Sequence, residues 1–201
     1  RTNIRREQSC SIKSLTRDYL YKQLLSSGEY TFDHMLVIKD PYGEAPLTAL
    51  ALFILEEPAC VRVTTKGNLK ETDFVTELPK KKEHRVPILG MYAEKANDIV
   101  IEILDDEGNC VKSHTFTIRT KRLPKSLRNV ITVKKWTDKP AYSNIMINGG
   151  VKIHTCVFDI EGEIRYYLSR KPRGYGIFPL SDGHFFYMEK YISVPSYSNP
   201  Q

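Results

Sequence analysis

The stretch from Val157 to Lys190, VFDIEGEIRYYLSRKPRGYGIFPLSDGHFFYMEK, sets the frame for reading the chain. It reads as two consecutive β-hairpins, one turning at Asp159-Ile160-Glu161-Gly162 and the other at Ser181-Asp182-Gly183. Asp and Gly supply the backbone freedom that a tight reversal needs, and the flanking Tyr, Phe and Ile are strand formers. With "NIMING" and "VKIHTCVFD" just upstream, residues 144 to 193 hold about four strands, the content of one β-propeller blade. A blade buries its faces against neighbouring blades, and about four to eight of them close a propeller. This reading therefore expects further blades beyond Gln201. The same strands also fit an extension of the preceding domain or a small separate sheet.

Upstream of these hairpins the pattern changes twice. Residues 1–13 are polar and basic and read as a lead segment. Leu15, Tyr19, Leu20, Leu24 and Leu25 then recur at helical spacing, with Ser14 or Thr16 available as N-cap and Gly28 as a stop. After Gly28 the period becomes that of strands: "TFDHMLVIKD", "TALALFILEE", "CVRVTTKG", "DFVTELP", "HRVPILGMY", "DIVIEILDDEGN" and "CVKSHTFTIRTK". Turn formers separate them: Pro41-Tyr42-Gly43, Glu56-Glu57-Pro58, Lys66-Gly67-Asn68, Pro79 and Asp105-Asp106-Glu107-Gly108-Asn109. About seven short strands over about 90 residues predict a two-sheet sandwich of immunoglobulin-like or fibronectin-like type. The expected fold is thus mainly β: residues 1–28 a lead and short helix, 29–122 the sandwich, 123–142 a cationic linker, and 143–201 the first propeller blade or its remnant.

Composition narrows the function classes. Of 201 residues, 41% are hydrophobic, enough for an ordinary folded core. The longest apolar block, "APLTALALFIL" from Ala45 to Leu55, is interrupted by Pro46 and Thr48 and is too short to span a membrane. The net charge of +6 is spread along the chain and mixed with acids. Its one compact run, Lys80-Lys81-Lys82, follows Pro79, where a solvated loop is expected, and no nucleic-acid fingerprint accompanies it. Cys10, Cys60, Cys110 and Cys156 are far apart with no C-x-x-C, which excludes zinc-ribbon and thioredoxin-type spacing and leaves disulfides and buried thiols both open.

Two segments carry a resemblance. "IKDPYGEAPLTALALFILEEPACVRVTTKG" (38–67) and "HRVPILGMYAEKANDIVIEILDDEGN" (84–109) look like the N-terminal domain of bacterial arylsulfate sulfotransferases. Pro41-Tyr42-Gly43, Pro46-Leu47-Thr48-Ala49-Leu50 and Val86-Pro87-Ile88-Leu89-Gly90-Met91-Tyr92 follow that family's pattern, with Asp40 in place of a leading Asn. "GYGIFPLSDGHFF" is more loosely similar to its first blade. The resemblance implies a β-sandwich ahead of a six-bladed propeller. It implies nucleotide-independent transfer of a sulfuryl group from an aryl sulfate to a phenol through a propeller histidine in later blades. It also implies docking on the remainder of the propeller, a homodimer and an extracytoplasmic setting. No catalytic, cofactor-binding or metal residue of the family maps onto this chain, and no cofactor is expected.

The chain's own candidates give the same result. His34, His84, His114, His154 and His184 stand singly in strands or turns, without the convergent partners a catalytic imidazole needs. Arg173-Gly174-Tyr175-Gly176 is not a phosphate loop and no helix follows it. Glu56-Glu57 and Asp105-Asp106 are read as solvated turn carboxylates. Tyr166, Tyr167, Tyr175, Tyr187, Tyr191 and Tyr197 are expected to form an exposed apolar patch in an isolated blade. The alternative to the enzyme reading is a binding module, a non-catalytic cell-surface sandwich that recognises an acidic partner or a glycan.

Overall fold

The computed structural model describes residues 15–134 and 155–169 in full, and the backbone of 144–147, 176–179 and 185–188. Residues 15–26 form helix α1. It ends as predicted: Gly28 takes a left-handed φ of 73° and its N–H donates to Leu25 O at 3.2 Å. Ser14 lies outside the described residues, and Thr16 is inside the helix rather than before it. Tyr21 and Leu25, one turn apart, are the buried face, while Leu15 and Tyr19 are 68% and 66% exposed. The apolar spacing therefore located the helix, but only its C-terminal half reaches the core.

In the sandwich segment five strands are described, not seven: β1 (Leu36–Lys39), β2 (Ala49–Thr65), β3 (Phe74–Ile88), β4 (Ala96–Leu104) and β5 (Cys110–Arg119). The expected breaks at Glu56-Glu57-Pro58 and at Pro79 are not turns. The β2–β3 ladder runs antiparallel from Ala49↔Ile88 to Thr65↔Phe74 and passes both prolines through register shifts between Ile54, Ala59 and Val61. A bulge is where a strand tolerates a residue without an N–H, so the prolines bend the strands instead of ending them. Lys80, Lys81 and Lys82 accordingly lie in β3, exposed, rather than in a loop.

β3 borders β2 along one edge, and β1 and β4 share the other, pairing with Ala49–Leu52 and with Cys60–Thr65 respectively. Because β2 bends between these halves, its odd positions face one interior. Ala51, Phe53, Leu55, Val61 and Val63 join Val86, Ile88, Ile99 and Ile101 in a single buried cluster. Each of the larger aliphatic or aromatic side chains contributes about 1.5–3 kcal/mol by leaving water. On the opposite face, Leu50 and Leu52 are covered by Tyr21 and Leu25 of α1, which is why "TALALFIL" reads as continuous rather than alternating hydrophobicity.

The C-terminal strands make two small antiparallel sheets. One contains β6 (Asn144–Ile147), β7 (Cys156–Asp159) and β8 (Ile164–Tyr167); the other pairs β9 (Gly176–Pro179) with β10 (Phe185–Met188). The first hairpin turn falls at Asp159–Gly162 as expected, and the Ser181-Asp182-Gly183 turn lies outside the described residues. β7 and β8 do not stand apart from the sandwich. Cys156, Phe158, Ile164 and Tyr167 belong to the same buried cluster as Phe53, joined by Leu127 from the segment after β5. Tyr167, expected on an exposed patch, is buried, and Tyr166 is half-buried. The other four tyrosines of that expectation lie outside the residues whose side chains are described.

Candidate functional site

The most concentrated chemistry lies where the β7–β8 hairpin meets the sandwich. Just after β3, Gly90 takes a φ of 75° and turns the chain toward Tyr92. Phe74 packs so closely there that a β-carbon on Gly90 would sit 2.7 Å from its Cβ. Tyr92 is then fixed by Asn97, whose Oδ1 accepts the Tyr92 N–H at 2.6 Å and whose Nδ2 donates to Tyr92 O at 3.0 Å. Thr120 Oγ1 donates to the same carbonyl at 2.5 Å.

Arg165, on β8, enters this corner and is 1% exposed. Its Nε donates to Gly90 O at 2.6 Å and its Nη1 to Thr72 O at 2.8 Å. Nη1 also lies 2.9 Å from Tyr92 Oη and 3.1 Å from Asp159 Oδ2. The guanidinium carbon sits 3.9 Å from the Tyr92 ring centroid, a cation–π contact inside the protein. Tyr92 Oη donates to Asp159 Oδ2 at 3.0 Å and accepts the Asn68 N–H at 3.0 Å, and burial pushes the phenol pKa up. Asp159 is fully buried. A buried ion pair costs desolvation unless its remaining lone pairs and protons are satisfied. In this node every side-chain nitrogen and oxygen has a partner except Arg165 Nη2.

The second feature is a cleft of about 470 Å³ between α1 and β3, lined among others by Asp18, Tyr19, Lys22, Lys81, His84 and Arg85. Arg85 Nη2 donates to Asp18 Oδ1 at 2.5 Å and Tyr42 Oη donates to it at 2.8 Å, so the Arg85 hydrogen bond first, and the Tyr42 one after it, hold the Asp18 carboxyl below its ordinary range.

The site candidates read from the sequence do not converge. His84 lies in β3 and is buried: its ring stacks on Phe53 at 5.3 Å, its Nε2 is 2.8 Å from Lys81 O, and burial lowers its pKa. His34 is exposed and His114 half-buried against Phe32 and Phe116; His154 and His184 lie outside the described residues. Glu56 and Glu57 are exposed within β2. Asp105 is a turn cap whose pKa is lowered by the Asn109 backbone N–H. Arg173, Gly174 and Tyr175 lie outside the described residues. Cys60, Cys110 and Cys156 are free thiols, and Cys10 is outside. Among the described residues no group of His, Cys, Asp and Glu is arranged to hold a metal ion. No helix among them is long and apolar enough to cross a membrane.

Sequence reasoning passed over Arg165, Asp159 and Tyr92. The one available signal was Arg165 itself, which sits in "EIRYYL" between residues that alternate toward a core.

Residues 36–121 match the family model described as the arylsulfotransferase Ig-like domain. The segment is thus similar to the Ig-like domain of arylsulfotransferases. A search among curated proteins finds no match. The matched span runs from the start of β1 to just past β5 and so covers all five of these strands. Helix α1 and the β7–β8 hairpin fall outside the Ig-like segment yet pack onto its two sides. The Pro41-Tyr42-Gly43 loop and the residue after it touch both: Tyr21 Oη donates to Pro41 O at 2.6 Å, and the Ser169 N–H donates to Glu44 O at 2.8 Å.

Proposed function

We propose that this chain is the amino-terminal, non-catalytic portion of an aryl-sulfate sulfotransferase, with the Ig-like domain as a structural platform for a propeller that carries the reaction. The observation that supports this is the match of residues 36–121 to the Ig-like domain, with the β7–β8 hairpin seated in the same core. In this reading residues 29–122 are the platform, 123–142 the connection and 143–201 the opening blade. The parent moves a sulfuryl group from an aryl sulfate to a phenol through a nucleophilic propeller imidazole that residues 1–201 do not supply. Imidazole is nucleophilic at neutral pH, and nearby cations stabilise the sulfate oxygens in the transition state. Bacterial origin, an extracytoplasmic setting and a homodimer belong to the same proposal; the exposed Leu15, Tyr19 and Leu20 of α1 are apolar surface suited to such a contact.

The test is to incubate residues 1–201 with a chromogenic aryl sulfate and a phenol acceptor, and to look for sulfated histidine by mass spectrometry. No phenol release and no sulfated residue are expected; turnover or a sulfo-histidine overturns the assignment. The α1–β3 cleft favours a second reading, a binding module for an acidic partner, through Lys22 and Lys81 in its lining. That reading predicts saturable, salt-sensitive binding of an acidic peptide that Lys22→Ala and Lys81→Ala weaken together.

A further inference from the structure

The family segment ends near residue 121, but the interior does not. Four apolar side chains of the hairpin complete the cluster built by β2, β3 and β4, and Arg165 crosses the boundary to carbonyls at Thr72 and Gly90. We propose that the Arg165–Asp159–Tyr92 node is an interlock that makes the Ig-like domain and the β7–β8 hairpin one cooperative unit, so that the Ig-like domain is not closed without the hairpin.

The geometry has the features such a coupling needs. Arg165 holds two carbonyls from different parts of the sandwich, one at the end of the 3-10 turn Lys70–Thr72 and one after β3. Tyr92 carries the linkage onward, because the Asn97 that fixes it also donates to Ile118 O at 3.3 Å in β5. The route from hairpin to far strand is therefore a contiguous set of buried hydrogen bonds. Removing any one member leaves a buried donor or acceptor without its partner, which disfavours partial opening relative to complete opening. A partner that binds the hairpin would, by linkage, stabilise the Ig-like strands. The interlock follows from this packing and holds whether or not the parent transfers sulfate.

Hydrogen exchange on the full chain tests it, comparing the parent with Arg165→Met and Tyr92→Phe. In a cooperative unit, amides open together and share one change in protection. Arg165→Met is expected to speed exchange about tenfold or more, by a common factor, at hairpin amides such as Gly162 and Leu168 and at β2–β4 ladder amides between Val61 and Thr65. Tyr92→Phe, which removes one oxygen and keeps the ring, is expected to give the same pattern at smaller amplitude. If the hairpin amides speed up while the β2–β4 amides keep the parent rate, the hairpin is merely docked and the interlock is refuted. Should Arg165→Met lack protection throughout, Tyr92→Phe decides between the two outcomes.

Discussion

At Asp105 and again at Asp159 the chain reverses through the same arrangement. In each, the Asp N–H donates to the carbonyl four residues on, Asn109 or Glu163, at 3.0 Å. A glycine three residues on, Gly108 or Gly162, takes φ of 85° or 88° and donates back to the Asp carbonyl. In each, one carboxylate oxygen accepts two backbone N–H groups, those of Glu107 and Asn109 in the first turn and of Glu161 and Glu163 in the second. The difference lies in the second oxygen. That of Asp105 accepts the Asn109 side chain at the surface, whereas that of Asp159 accepts Tyr92 and Arg165 in the interior. One oxygen suffices to build a hairpin turn, which leaves the other free to specify what the hairpin packs against.

Removing each carboxylate in turn puts this division of labour at greatest risk. Asp159→Ala is expected to cost about 3–5 kcal/mol, because it strands a buried guanidinium as well as uncapping a turn. Asp105→Ala is expected to cost far less, and equal losses in urea denaturation would erase the distinction. Next in size, Tyr92→Phe should cost about 1–3 kcal/mol, since the Asn68 N–H and Asp159 Oδ2 lose a buried partner. The share of this cost carried by Asp159 Oδ2 should vanish in an Asp159→Ala background while the Asn68 share remains, which a double-mutant cycle measures.

Alanine at the two glycines separates the turns on packing alone. Both substitutions carry the left-handed penalty of about 1–2 kcal/mol. Gly108 has open space where a β-carbon would go, while at Gly162 it would meet Val133 Cγ2 at 3.1 Å, so Gly162→Ala should be the more destabilising by thermal melting. The smallest effect is a pH dependence. The Asp105 carboxyl is held below its ordinary value of 3.8, so its contribution is present above that pH and is lost as pH falls through the lower folded value. Asp105→Asn should therefore flatten the acid side of the stability profile only below about pH 4.

Both turns were legible in the sequence, because the chemistry of an Asp followed three residues later by Gly is local. Helix α1 was legible from spacing and Gly28, and the sandwich from alternation. The strand count was not: Pro58 and Pro79 remove ladder donors and so look like endings, but a bend between two halves of a folded sheet can absorb them. The interior node was least legible. An arginine on a strand is read as exterior unless its acceptors are known, and Gly90 O and Thr72 O are more than seventy residues away in sequence. Local pattern cannot announce a partner that only tertiary packing supplies.

Along its 15 residues β3 is paired with β2 alone among the described strands, so its outer rim of backbone groups is an edge of the sheet. A rim of that kind can template an unfolded neighbour and seed aggregation. Three consecutive ammonium groups, Lys80 to Lys82, lie on this strand together with Pro79, which lacks an N–H. The ammonium groups make intermolecular strand addition charge-repelled. The same residues that obscured the strand in the sequence act as its gatekeepers against self-association.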